Sequence, residues 1–239
     1  EAVASAHGRD TIPDGLVFKT SITVEFGGNT LLDNADLWFH PNGGLVRMQA
    51  GDTTAVFDGS TAWTTGTAIP RPRFQLLTWP YFAVTAYKLD DGGTDLEAMN
   101  AAPLREGDDT KLRRSELTFE SGVGDSPDDW YILYVNEADQ LVAMSYIVTY
   151  GVDTEEAEGD PHAIVYDNFV NVPLPGGEES GAILSTEWTF YNWSREAGLV
   201  GDIIGKVSLT NLELVEQPEG AFDKPEGADE VLVPAAEAE

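Results

Sequence analysis

Few residue types in this chain could do covalent or metal chemistry, and their spacing excludes most of it. Cysteine is absent, which removes disulfides, thiolate nucleophiles and cysteine-held zinc or iron–sulfur centres. The three histidines, His7, His40 and His162, form no pair at helical spacing and no H-E-x-x-H motif, so a zinc hydrolase is disfavoured. There is no G-x-S-x-G elbow and no phosphate-binding loop; Gly122-Val123-Gly124 lacks both the third glycine and the helix that should follow. Asp90-Asp91 and Asp125/Asp128/Asp129 read as solvated acidic turns rather than cation sites. His162 stands in Gly159-Asp160-Pro161-His162 with Asp167 further along a strand. A two-carboxylate–histidine metal site would be built from those residues, but a polar residue at a strand start is the simpler reading. His7 ends the first helix, where a cation would complement the helix dipole. No carboxylate pair is singled out for acid–base work, and no cofactor or metal is expected.

The aromatic residues carry more signal. Phe74, Trp79, Tyr81 and Phe82 crowd one segment; Trp188, Phe190, Tyr191 and Trp193 crowd another. On a strand, Trp188 and Phe190 share one face and Tyr191 and Trp193 the other. Two readings stay open: an ordinary core with a covered back face, or an aromatic-lined cavity for an acyl chain or other apolar ligand. Arg47, Arg71, Arg73 and Arg105 are costly to bury, and pairing with the abundant acids is the simplest role for them.

The elements that must position these residues are almost all strands. Leu16–Phe26 alternates with period two, and 30–39, 45–49, 54–57 and 61–65 follow with short loops between them. Residues 70–87 break that pattern. They are aromatic and punctuated by proline, with two helical turns expected over Arg73–Trp79, ended by Pro80. Further strands are expected at 94–100, 111–119, 130–136, 141–149, 163–172, 183–193 and 206–214. With almost no helix between strands, parallel βαβ folds are excluded and a sandwich or barrel-like sheet is favoured. Residues 1–8 read as a helix stopped at Gly8.

Length and charge set the outer bounds. The 239 residues suit one domain that buries about 70–75% of its unfolded surface. We expect that domain to span 1–217, with a mobile Pro-, Gly- and acid-rich tail over 218–239 in which Phe222 and Val231–Val233 are the residues able to dock. No apolar run reaches the roughly 18 residues of a membrane-spanning helix. The formal charge is −29, from 42 acidic against 13 basic residues. That charge opposes nucleic acid and anionic membrane surfaces. It fits a solvated surface in a salty milieu, a halophile-like character.

One stretch resembles a known family. Phe39-His40-Pro41-Asn42, then Arg47, then Asp58-Gly59-Ser60-Thr61-Ala62-Trp63 follow the order seen in periplasmic lipoprotein carriers, the LolA/LppX-like superfamily. There a basic-Arg-Pro-Asn strand end, an arginine and an Asp-Gly hairpin ending in tryptophan recur. The Ala6-His7-Gly8 opening and Leu77-Thr78-Trp79-Pro80-Tyr81-Phe82 are also similar to an exported bacterial subgroup with a carrier-like fold. Two departures stand out: His40 replaces the arginine before the proline, and the carriers are basic or near neutral.

The resemblance implies a mainly β fold, an unclosed (half) antiparallel β-barrel of about 10–12 strands wrapped on an N-terminal helix, with a short helical lid segment. It implies non-enzymatic binding or transport of a lipid or lipoprotein acyl chain in the concavity, in a periplasmic, cell-surface or secreted bacterial protein. The expected contacts are Phe74, Trp79, Tyr81 and Phe82 in the lid, Trp63 and Trp188 in the wall, and His40 and Arg47 at the rim. The expected partners are an apolar small molecule or a lipoprotein; nucleic acid is not expected, and a monomer is. Two rivals remain: a hydrolase or isomerase using carboxylates in the same concavity, and a packed structural protein with no ligand.

Overall fold

A computed structural model describes residues 1–234, without the side chains of 178–180. Strand β1 (Leu16–Phe26) puts Phe18, Thr20, Ile22 and Val24 on one buried face, as its alternation requires. It turns into β2 (Asn29–Phe39) through Gly27-Gly28, both in the left-handed region (φ 58 and 77). That is the two-residue hairpin geometry in which positive φ at both loop positions matches the strand twist. Strands β3 (Val46–Ala50), β4 (Thr53–Phe57) and β5 (Ala62–Thr64) complete one wing. The second wing runs through β6 (Thr94–Ala102), β7 (Leu112–Phe119), β8 (Tyr131–Val135), β9 (Leu141–Tyr146), β10 (His162–Leu174), β11 (Glu178–Ser194) and β12 (Gly198–Glu216).

Among the described residues the strands form one 13-stranded sheet in the order β13-β5-β4-β3-β2-β1-β12-β11-β10-β9-β8-β7-β6. Each pairing is antiparallel, and β6 and β13 remain edges, so the sheet is open. Neighbours in sequence are neighbours in space within each wing. Two connections break that rule: the helical segment between β5 and β6, and the C-terminal segment, whose β13 (Asp229–Val231) pairs with β5. Among the described residues the two wings are hydrogen-bonded to each other through β1 and β12, with Leu16 opposite Glu216 and Phe26 opposite Gly205.

Three differences from the sequence reading have physical causes. The helix does not stop at Pro80: α2 spans Pro72–Val84 with Pro80 inside it. Pro72 sits in the first turn, where its missing N–H costs nothing. Pro80 forgoes one internal hydrogen bond, and burial of Leu76, Trp79, Phe82 and Val84 offsets that loss. A short α3 (Thr154–Glu158), missed in the sequence, starts at Asp153, whose carboxylate accepts from the Glu156 N–H at 2.8 Å. The C-terminal segment docks further than expected. Phe222 is buried with Val17 and Val56 on the convex face, and β13 adds a strand; residues 235–239 lie outside the described part.

His7 departs most from expectation. It follows α1 (Ala2–Ala6), but it is buried and neutral rather than a charged cap. Its Nε2 accepts from the Leu141 N–H at 3.0 Å and its Nδ1–H donates to the Ile183 carbonyl at 3.0 Å, a pairing that fixes the tautomer. Burial pushes its pKa down, against the raising effect of the Ile183 carbonyl. The His7 carbonyl accepts from Tyr87 Oη at 2.9 Å and from the Ile183 N–H at 2.8 Å. Next to it, Gly8 is left-handed (φ 76), and a Cβ there would overlap the Gly181 carbonyl oxygen. Gly15 has a similar φ of 84 with open space around it. Gly15→Ala is therefore expected to cost about 1–2 kcal/mol, the left-handed penalty alone, and Gly8→Ala at least about 1 kcal/mol more. Urea unfolding of the two variants measures the difference; equal losses would refute the close approach.

Candidate functional site

The concave face of the sheet is apolar, and α2 lies across it with Leu76, Trp79 and Phe82 in the main core. A cavity flanks the helix on each side. The first, about 310 Å³, is lined by Leu77 and Tyr81 of α2, by Phe119 and Tyr131 of β7–β8, and by Val123 in the loop between those strands. The second, about 330 Å³, is lined by Phe26, Trp79, Tyr146, Val152, His162 and Phe190. Phe74, Thr78, Phe82, Val148 and Tyr150 line both. Each volume sits at the lower end of the roughly 300–1,000 Å³ typical of small-molecule sites, and aromatic rings contribute to both walls.

Charged groups rim these walls in pairs. Arg73 holds Asp125 through two hydrogen bonds, Nε at 2.5 Å and Nη2 at 2.8 Å, and its guanidinium lies over the Phe57 ring. That hydrogen bond raises the arginine's pKa. Lys88 pairs with Asp91 at 2.5 Å and also donates to the Asn42 carbonyl at 2.8 Å. Arg71 meets no carboxylate among the described residues; it donates to the Tyr150 carbonyl at 3.2 Å and stacks over the Phe74 and Tyr150 rings at 4.6 and 5.4 Å. The Phe74–Tyr150 pair, 5.4 Å between centroids, thus forms a braced wall where the cavities meet.

Asp129 is the exception. It is buried, and desolvation pushes its carboxyl up to about 6, against hydrogen bonds from Thr149 that lower it. Its Oδ1 accepts from both the N–H and the hydroxyl of Thr149 at 2.7 Å, while Oδ2 receives only a long 3.4 Å contact from the Tyr131 hydroxyl. The solvated turn expected at 125–129 is corrected here: Asp125 is taken by Arg73, and Asp129 lies in the cavity wall. Tyr81 is half-buried, but its hydroxyl is sealed from solvent and has no hydrogen-bond partner among the described residues. Burial raises the pKa values of Tyr81, Tyr131 and Tyr146, so all three stay protonated.

The structure brings together part of the set marked in the sequence. Phe74, Trp79, Tyr81 and Phe82 line the cavities. Trp188 is fully buried in the concave core, its Nε1 donating to the Ser185 carbonyl and its ring edge-on to Tyr166. Arg47 and Trp63 lie elsewhere. Trp38, Arg47, Val56 and Trp63 face one another across β2–β5 in one row, whose Val56 belongs to the convex cluster with Phe222. Arg47 stacks on Trp38, and Trp63 donates to Asp58 and carries Lys224 over its ring. His40 caps the β2–β3 turn, its Nδ1 accepting from the Asn42 N–H at 3.3 Å. The second aromatic group divides as its alternation predicts. Trp193 packs with Trp130 and Ala157 of α3 on the convex face and donates to the Tyr134 hydroxyl at 3.0 Å. His162 faces Asp160 at 3.7 Å while Asp167 is exposed. Among the described residues no group of three or more His, Asp or Glu could hold a metal ion.

Two solved structures superpose over most of this chain. One is described as an outer-membrane lipoprotein-sorting protein domain from Vibrio parahaemolyticus, with a TM-score of 0.52 and 10% identity, covering 92% of this chain and 94% of that one. The other is a DUF1329 family protein from Desulfovibrio piger, with a TM-score of 0.52 and 12% identity, covering 93% and 95%. The fold is distantly related to a lipoprotein-sorting-like one. No family model matches the sequence, and no curated protein matches it. At such identity the lipoprotein-sorting-like relationship concerns the backbone arrangement alone and transfers no residue role.

Several wall residues escaped the sequence reading, including Phe26, Phe119, Tyr131, Val148 and Tyr150. Period two on β8 would have placed Tyr131 with Leu133 and Val135 on one face; nothing local distinguishes Asp129 from the other acids. The raised Asp129 pKa has a signed consequence. Folding favours its protonated form, so its contribution to stability is fully present below the ordinary 3.8 and is lost as pH rises through about 6. Asp129→Asn should remove that dependence and raise stability above about pH 6 by roughly 1–3 kcal/mol. Thermal unfolding of both proteins across that range checks it, and parallel curves would contradict it.

Proposed function

We propose that this protein binds an apolar ligand, such as a lipid or a lipoprotein acyl chain, between α2 and the concave face of its open sheet, without catalysing a reaction on it. One observation carries the reading: two aromatic-lined cavities flank a single helix and share Phe74, Thr78, Phe82, Val148 and Tyr150. A chain laid past Phe74 would occupy both. The similarity to a lipoprotein-sorting domain supports a carrier-like role and an exported bacterial setting, periplasmic or at the cell surface. The strong negative charge supports work in a salty milieu.

Asp129 favours a second reading. A carboxyl with a pKa of about 6 in a cavity wall is placed as a general acid or base would be. A saturable hydrolase or isomerase activity that Asp129→Asn abolishes with folding intact would establish that reading.

Native mass spectrometry in a volatile salt, followed by organic extraction, tests the carrier reading. The expected result is a co-purifying or added lipid at near one-to-one stoichiometry. A mass that stays bare with added fatty acids and lipopeptides would overturn it. Phe74→Ala should weaken uptake about tenfold while costing about 1–2 kcal/mol of stability, because the ring is only half-buried. Trp188→Ala should cost about 3–5 kcal/mol from the packed core. Binding titrations and urea unfolding of both variants separate wall from core; the same pattern in each would contradict the assignment.

A further inference from the structure

Resting on the apolar-ligand reading above, we propose that the ligand carries an anionic end, a carboxylate or a phosphate, and that the Arg71 guanidinium holds that end at the edge of the second cavity. Arg71 lines the second cavity and not the first. Its guanidinium lies over Phe74 and Tyr150, 4.6 and 5.4 Å from the ring centroids, and both cavities share those two rings. An apolar chain laid past Phe74 therefore runs beside this cation. Arg71 is also exposed, so a ligand atom can meet it from the solvent side.

Among the described residues its hydrogen bonding is confined to the 3.2 Å bond from Nη2 to the Tyr150 carbonyl. A guanidinium has five N–H donors, so most of them stay free. Stacking occupies the flat face of the group and leaves its N–H edge open. That edge is the one that meets a carboxylate or phosphate through two parallel hydrogen bonds. The backbone at Arg71 is left-handed (φ 45, ψ 57) at the head of α2, between Pro70 and Pro72. Glycine would take that conformation at lower cost, so the turn itself does not account for an arginine. The first cavity offers no equivalent among the described residues: its Lys88 is tied to Asp91, and Asp129 stands in its wall. Glu156 and Asp160 also line the second cavity; both are exposed, and Asp160 faces His162 at 3.7 Å. Like charge keeps an anion away from those two acids and makes the guanidinium its favoured place.

The test titrates the full chain calorimetrically with decanoate, decyl phosphate and 1-decanol, at about pH 8 and about 0.5 M salt. Both anions are charged there, and the short Debye length mutes the more distant surface acids. At least one anion should bind about tenfold more tightly than decanol; a preference confined to decanoate or to decyl phosphate tells which head group the site takes. Arg71→Gln should lower the affinity for the preferred anion about five- to tenfold and leave decanol within about twofold. Arg47→Gln, which removes the same charge from the β2–β5 row outside the cavities, should change neither. Decanol binding as tightly as both anions would overturn the anionic selection while leaving the ligand site standing. So would an Arg71→Gln variant that loses decanol and the anion alike, which would make Arg71 a brace for the Phe74–Tyr150 wall. Equal losses in Arg47→Gln and Arg71→Gln would overturn it as an effect of net charge. Failure of all three probes to bind would instead remove the proposed ligand site itself.

Discussion

An open sheet has an apolar concave face that no strand covers, and that exposed area is the constraint around which the rest is arranged. Here α2 does the covering. Its thirteen residues, Pro72–Val84, make a rod of about 20 Å. The sheet it crosses is wider, thirteen strands spaced about 4.8 Å apart. One such rod cannot fill the hollow, so space remains along both flanks, and the two cavities are that space. The helix can hold a proline and an apolar residue at almost every position because it is buried on most sides. Its stability comes from the sheet beneath it.

The same geometry governs the polar groups. Residues bordering the cavities are drawn from a chain with more than three acids per base, yet the guanidinium of Arg73 and the ammonium of Lys88 each take one aspartate at the rim. Arg71 leans on two rings and a carbonyl instead. In the first cavity Asp129 is left without a cation among the described residues, and Thr149 satisfies only one of its oxygens. The wall therefore has a definite chemical polarity despite its largely apolar surface. The convex side is settled differently: α3 covers Trp130 and Trp193, and the C-terminal segment brings Phe222 against Val17 and Val56.

Much of this was legible in the residues. Leu16–Phe26 alternates so regularly that its boundaries follow from the sequence alone, and the aromatic run over 74–82 marks the covering helix. The resemblance pointed to an open β-sheet, which the structure has, and also drew attention to Arg47 and Trp63. Simple alternation argued against the first: Val46 and Met48 are buried core residues, so Arg47 between them faces away from that core. Pro80 reads as a helix end because proline's cost is local and visible in the sequence, whereas the burial that offsets it is not. Asp129 was illegible for another reason. Its burial depends on where β8 and the turn before it meet the helix, and no short-range pattern encodes that meeting.

The pairing of β1 with β12 joins residues almost a whole chain apart, Leu16 with Glu216. The order in which the molecule can assemble follows from it. Contacts this distant in sequence are late and slow, since the loop they close must first be searched. Until the last long strand emerges, β1 has one edge of unpaired backbone N–H and C=O groups beside the apolar face that carries Phe18, Ile22 and Val24. A nascent chain would therefore display a sticky, strand-shaped template for most of its synthesis. The dense negative charge along the chain would act as a kinetic safeguard in that interval, keeping two unfinished copies from pairing edge to edge.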